Sequence, residues 1–139
     1  MMPLRILIVE DTQERQKILK QLFKDHAWVL VNTAERAKKL VEVYKFDIIS
    51  LDYDLAGEQS GDEVARTICN GLNKLTRIVV HSMNPRGREQ IRKFLPQATI
   101  LPVASMISNN KRFKLLRESL KQGPNFDWSF AIKSKNKQE

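Results

Sequence analysis

Short apolar runs alternate with amphipathic stretches along the whole chain. The strand candidates are Leu4–Val9, Trp28–Val31, Asp47–Leu51, Arg77–His81 and Thr99–Val103, all rich in Ile, Val and Leu. The first, third and fourth are nearly continuous rather than alternating, as strands covered on both faces should be. Between the strands lie helical stripes. Ile18, Leu19, Leu22 and Phe23 form the first, and Ala34, Ala37, Leu40, Val41 and Tyr44 the second. Val64, Ala65, Ile68, Cys69 and Leu72 make the third, Ile91, Phe94 and Leu95 the fourth, and Phe113, Leu116 and Leu120 the fifth. Asp11 with Glu14 and Asn32 with Glu35 have capping-box spacing, and Asn84-Pro85 offers a cap followed by proline at the first helical position.

Five strand–helix units in succession predict an α/β domain with a parallel sheet covered by helices on both sides. Right-handed crossovers leave few topologies, and a doubly wound sheet in the order 2-1-3-4-5 is the simplest. The pattern places one domain over residues 1–122 and a basic tail over residues 123–139. Phe126, Trp128 and Phe130 alternate in that tail and are expected to pack back on the domain; Trp28 is expected in the sheet core. Cys69 reads as packing, and His26 as a turn residue or a favourable charge at the end of the first helix.

At 139 residues the chain suits one domain, and its 42% apolar and 29% charged residues are those of a soluble globular protein. No apolar run approaches a membrane span, and the first residues run straight into a strand pattern, unlike a signal peptide. A single cysteine excludes an internal disulfide and fits a cytoplasmic setting. The net charge is +8, of which +5 falls in the last 29 residues. A concentrated basic end reads as a solubilising tail, and a nucleic-acid partner is not expected.

In doubly wound sheets, ligands bind beyond the carboxyl ends of the strands. The first strand ends in Glu10-Asp11, the third in Asp52-Tyr53-Asp54, and the fourth in His81-Ser82-Met83-Asn84. Carboxylates gathered in one crevice repel one another and call for a cation. Hard oxygen donors suit Mg²⁺, so Glu10, Asp11 and Asp52 are the candidate metal ligands. Asp11 also stands where a helix cap would.

The runs Ile6-Leu7-Ile8-Val9-Glu10-Asp11 and Asp47-Ile48-Ile49-Ser50-Leu51-Asp52, followed by Gly61, resemble the receiver domains of bacterial two-component response regulators, over roughly residues 4–120. The resemblance implies a receiver, flavodoxin-like fold with Asp52 as phosphoacceptor and Glu10 and Asp11 as Mg²⁺ ligands. It also implies Ser82 as the hydroxyl that meets the phosphoryl group and switches position. A sensor histidine kinase or another phosphodonor would supply that group, and a downstream protein would receive the signal. Ordinary receivers place a lysine before a proline at the end of the fifth strand; here the pair is Leu101-Pro102.

Leu51-Asp52-Tyr53-Asp54-Leu55 and His81-Ser82-Met83-Asn84-Pro85 together resemble a divergent branch, the cyclic-phosphate processing receivers. The segment is suited to a phosphoester. His81 can exchange protons near neutral pH, and Ser82 and Asn84 can donate hydrogen bonds. Arg86 or Arg88 could replace the missing lysine. Two functions follow: Mg²⁺-assisted phosphoryl acceptance at Asp52, with output by protein contact, and metal-dependent hydrolysis of a cyclic or small phosphoester using His81 and Asp54. A phosphorylation-independent adaptor is a third. Asp52-Tyr53-Asp54 also resembles the nucleophile motif of haloacid-dehalogenase-type phosphatases, but it stands on the wrong strand and lacks the later acidic pair. A dinucleotide site is excluded because no Gly-x-Gly-x-x-Gly follows the first strand.

Overall fold

Alternate residues of a strand face opposite sides of its sheet, and this period sorts the apolar runs into two layers. In a computed structural model that describes residues 2–132, the strands are β1 (Arg5–Val9), β2 (Ala27–Val31), β3 (Ile48–Leu51), β4 (Arg77–Val80) and β5 (Thr99–Ile100). All are parallel, in the order β2-β1-β3-β4-β5, as the crossover rule requires. The helices are α1 (Gln13–Leu22), α2 (Ala34–Val43), α3 (Gly61–Cys69), α4 (Pro85–Phe94), α5 (Val103–Met106) and α6 (Asn110–Ser119). None is long and apolar enough to cross a membrane.

Ile6, Ile8, Ile48 and Val79 share one core with Leu19, Met106 and Leu116, from α1, α5 and α6. Their sequence neighbours Leu7, Val9, Ile49 and Val80 face the other core, with Ala37, Val64, Ile68 and Ile91 from α2, α3 and α4. Burying a side chain of this size contributes about 1.5–3 kcal/mol, so the two-sided cover explains why continuous apolar runs were selected.

Several expectations are corrected. Trp28 is 38% exposed, because β2 is an edge strand; the Lys20 ammonium lies 5.6 Å above its ring. Tyr44 and Leu72 are exposed because α2 and α3 end before them. The fifth strand stops at Ile100 rather than Val103, since Pro102 has no N–H to donate and α5 starts at once. The caps of α1 and α2 lie one residue later than expected: Thr12 precedes α1 without a side-chain cap, and Thr33, not Asn32, accepts from Arg36 N at 3.2 Å. The Asn84 cap is as expected, accepting from Gly87 N at 3.0 Å with Pro85 at the first position. His26 is a turn residue whose Nδ1 accepts from Leu4 N at 3.0 Å. Burial lowers its pKa, which suits a neutral acceptor rather than a helix-end charge. Cys69 is half-buried against the α2–α4 core.

Beyond α6 the chain turns through Leu120–Gln122 and folds back. Phe126 and Trp128 are buried in the core shared with α1 and α6, while Phe130 is exposed. The folded unit thus continues past residue 122, and residues 133–139 of the expected basic tail lie outside the described residues.

Candidate functional site

The strand register decides which polar groups meet. Ile8, Ser50 and Val79 lie in one row across β1, β3 and β4. Two residues further along each strand, and so on the same face, come Glu10, Asp52 and His81. The ladder carries the three there: Asp52 N donates to Val9 O at 3.1 Å, and His81 N to Leu51 O at 3.1 Å. All three are buried, and each offers a ligand atom within 4.8 Å of the others. This is the face that α1 covers.

Glu10 is fully buried, not a surface residue. Its Oε1 accepts from His81 Nε2 at 2.9 Å and from Arg15 Nε at 3.1 Å, and its Oε2 from Thr12 N at 2.9 Å. Burial pushes its pKa up, but the bonds from His81, Arg15 and Thr12 outweigh that and hold it at about 2. His81 is fixed at both nitrogens, since Nδ1 shares a 2.8 Å hydrogen bond with Ser50 Oγ. His81→Ala removes both bonds and leaves Ser50 without its partner. We expect a loss of about 2 kcal/mol in urea unfolding, the order of a buried hydrogen bond to a charged group.

Asp52 has the opposite character. Its Oδ1 accepts from Tyr53 N at 2.8 Å, while Oδ2 is a buried oxygen with no hydrogen-bond partner. Burial, reinforced by the Glu10 charge, lifts its pKa to about 6 against the opposing pull of His81. Ser82 stands near enough to lower it slightly, yet no hydrogen bond from Ser82 reaches Oδ2. Arg15 Nη2 lies 3.5 Å from Oδ2. Asp52 contributes to raising the Arg15 pKa, but the Arg15 side chain is 30% exposed and solvent screens its return effect on Asp52.

The loops around Asp52 are tightly fixed. A Cβ on Gly61 would stand 2.0 Å from the Asp52 carbonyl oxygen, and Gly61 N donates to Tyr53 O at 2.7 Å. Gly87 is packed so closely against the Tyr53 side chain that only a hydrogen fits there.

The other expected site residues are dispersed. Asp11 is half-buried beside Arg15, accepting a long 3.4 Å bond from Thr12 Oγ1; it is outside the three-residue cluster. Asp54 is exposed and accepts from Asn84 Nδ2 at 3.2 Å across the crevice mouth. Ser82 Oγ accepts from Asn84 N at 3.1 Å. Neither arginine expected to replace the lysine reaches Asp52. Arg88 Nη1 donates to Ser82 O at 3.0 Å, and Arg86 is exposed with no ion pair among the described residues. Leu101 packs into the α1-side core. The groups that do carry donors to the centre, Arg15 and Ser50, were not singled out by sequence. Their signals were a serine inside an apolar strand and an arginine four residues after Asp11, one helical turn on.

A parallel sheet in this order with carboxylates at the ends of β1 and β3 defines a receiver domain of response-regulator type. Solved structures agree in fold. The phosphorylated cyanobacterial phytochrome response regulator RcpA superposes with a TM-score of 0.68 at 18% identity, covering 86% of this chain and 92% of that one. The response regulator TrrA from Thermotoga maritima, in complex with Mg²⁺ and beryllofluoride, gives 0.63 at 22% identity, covering 81% and 97%. The receiver domain of a Pseudomonas aeruginosa sensor histidine kinase, with a magnesium ion in its active-site cleft, gives 0.62 at 21%, covering 86% and 96%. No curated protein matches the sequence. The family model described as the cyclic-phosphate processing receiver domain matches residues 5–97, and the chain belongs to that family.

Proposed function

We propose that this chain accepts a phosphoryl group on Asp52, with Mg²⁺ bound at the same centre, and signals by contact with another protein. The observation that carries this reading is the free Asp52 Oδ2: a carboxylate oxygen at the end of β3, held in place and left without a hydrogen bond. Such an atom costs stability and is retained where it has chemistry to do.

The donor set fits a hard divalent cation. Asp52 Oδ2 accepts no hydrogen bond and has only the Arg15 guanidinium 3.5 Å away, Glu10 lies in the same cluster, and Asp11 adjoins it in sequence; His81 nitrogen is the less suitable donor for Mg²⁺. Glu10, Asp11 and Asp52 would hold the ion, which supplies neutralising charge for phosphoryl oxygens. A sensor histidine kinase or a small acyl phosphate would serve as donor.

Incubation with acetyl phosphate and Mg²⁺ tests the reading. A single phosphoryl adduct on the peptide containing Asp52 is expected by intact and tandem mass spectrometry, and its absence rules the reading out. Only the ionised carboxylate attacks phosphorus. Because the Asp52 pKa is raised to about 6, the rate should climb between pH 5 and 7, with bound Mg²⁺ moving the midpoint down. A rate that falls as the pH rises across that interval would contradict the assignment.

A second reading, hydrolysis of a cyclic phosphoester, is favoured by the family description and by Leu101 in place of the usual lysine. His81, oriented by ionised Glu10 at 2.9 Å, would serve as the acid/base toward the phosphoester, while Asp54 and Asn84 at the mouth would meet the substrate. Turnover of a 2′,3′-cyclic nucleotide by the wild type but not by His81→Ala distinguishes this reading.

A further inference from the structure

The centre keeps a fixed positive charge, and it comes from a helix rather than from β5. Arg15 lies in the first turn of α1 and reaches back over the ends of β1 and β3. Its Nε donates to Glu10 Oε1 at 3.1 Å and its Nη2 to Thr12 Oγ1 at 2.7 Å. The same Nη2 lies 3.5 Å from the free Asp52 Oδ2. The guanidinium therefore spans both carboxylates that define the site. Among the described residues Nη1 has no protein partner, and the side chain is 30% exposed, which leaves donors of the fork uncommitted.

We propose that Arg15 is a catalytic residue of phosphoryl acceptance, the cation that meets the phosphoryl oxygens once they are attached to Asp52. The inference rests on the phosphoryl reading of Asp52. In that reaction Oδ2 forms a new bond to phosphorus. The bond from phosphorus to the bridging oxygen of acetyl phosphate breaks, and its electron pair departs with acetate. No proton or electron is exchanged, and the phosphoryl group keeps its charge. Three oxygens bearing that charge then occupy the space beyond Oδ2, next to the guanidinium. A planar fork offers two edges, so Arg15 can keep Glu10 on one and present the other to the phosphoryl group. The residues expected for this task on sequence are otherwise engaged: Arg88 bonds the Ser82 carbonyl, and Leu101 is buried in the core.

The same placement has a consequence in the absence of a phosphoryl group. A guanidinium between Glu10 and Asp52 competes with any other cation for the same oxygens. Removing it should tighten Mg²⁺ binding while slowing phosphoryl acceptance. A residue that merely supports the fold would not move the two quantities in opposite directions.

The test compares wild type, Arg15→Lys and Arg15→Gln, each checked for folding by circular dichroism. The rate of adduct formation with acetyl phosphate in saturating Mg²⁺ should fall roughly 100-fold in Arg15→Gln, the scale of losing one preorganised charge-stabilising donor. Arg15→Lys should fall about tenfold, since a point charge replaces the fork. Mg²⁺ affinity by calorimetry should rise about tenfold in Arg15→Gln and stay near wild type in Arg15→Lys. A wild type that reacts, beside an Arg15→Gln that reacts within twofold of it, overturns the inference and leaves the phosphoryl reading standing. A wild type that never reacts overturns that reading and this inference with it, and an affinity for Mg²⁺ unchanged in Arg15→Gln counts against the placement of Arg15 in either case. If Arg15→Gln does not fold, Arg15→Lys carries the decision: a rate equal to wild type refutes the proposal.

Discussion

Asp52→Asn should abolish the phosphoryl adduct and at the same time raise the melting temperature of the metal-free protein. The first effect follows from the chemistry, because an amide oxygen does not displace the leaving group of an acyl phosphate. The second follows from the electrostatics of the site. Asp52 has a folded-state pKa of about 6, above its ordinary 3.8. The folded protein therefore holds this proton more tightly than the unfolded chain does. Stability from the group is fully present below about pH 4 and is lost as the pH rises through 6. A rise from 3.8 to about 6 corresponds to an upper bound of about 3 kcal/mol at neutral pH. The substitution should thus stabilise by about 1–3 kcal/mol at pH 7.5, with the difference closing as the pH falls to 4. Saturating Mg²⁺ should stabilise the wild type more than the variant. Thermal melts at pH 4, 5.5 and 7.5, with and without Mg²⁺, measure all of this. A variant less stable than wild type at pH 7.5 would show that Asp52 is a structural anchor and not a strained nucleophile.

Glu10 moves the other way. Its pKa of about 2 lies below the ordinary 4.5, so its contribution is present above pH 4.5 and is lost as the pH falls toward 2. Two carboxylates in one row of the sheet are thereby driven apart. The one bound by His81, Arg15 and Thr12 stays ionised, while the one with a bare oxygen is held near the edge of ionisation. Separation of this kind within a pair of titratable groups is what assigns different roles to like residues.

The sheet was legible in sequence for a simple reason: strands buried on both faces must be largely apolar, and the central stretches of β1, β3 and β4 are, with Ser50 the single polar residue inside them. Edge strands escape that rule, so Trp28 on β2 was misplaced and β5 was read three residues too long. The ends of β1 and β3 announced their carboxylates directly, since charges at the close of an apolar strand have few structural uses. What each carboxylate does was not readable. Glu10 and His81 are 71 residues apart, and only the register of three strands aligns them. Ser50 was hidden because one small polar residue hardly disturbs an apolar run. Arg15 was hidden because an arginine in a first helical turn is ordinarily solvated, and its direction depends on how α1 packs against the sheet.

Trp128→Ala should cost about 3–5 kcal/mol, the usual loss for a large aromatic cut from a core. Trp128 is 1% exposed, and its Nε1–H donates to Leu116 O at 3.1 Å. That carbonyl lies in the last turn of α6, where the chain tightens and Leu120 N bonds Arg117 O instead; helix-end carbonyls of this kind need outside donors. The ring meets Phe126 edge to face, with centroids 4.9 Å apart. Phe126 in turn lies 4.0 Å beneath the Arg77 guanidinium, and Arg77 Nη1 donates to Phe126 O at 2.9 Å. The segment after α6 therefore fastens α6 to the start of β4. At the few degrees per kcal/mol typical of domains near this size, the substitution should lower the melting temperature by roughly 10–20 °C. Truncation after Gln122 should do at least as much harm, because it also removes Phe126. Both variants should keep a Mg²⁺ affinity close to wild type at temperatures where they remain folded, since neither Phe126 nor Trp128 bonds Glu10, Asp52 or Arg15. A truncated protein as stable as the full chain would mean that the segment only rests on a core already complete at residue 122.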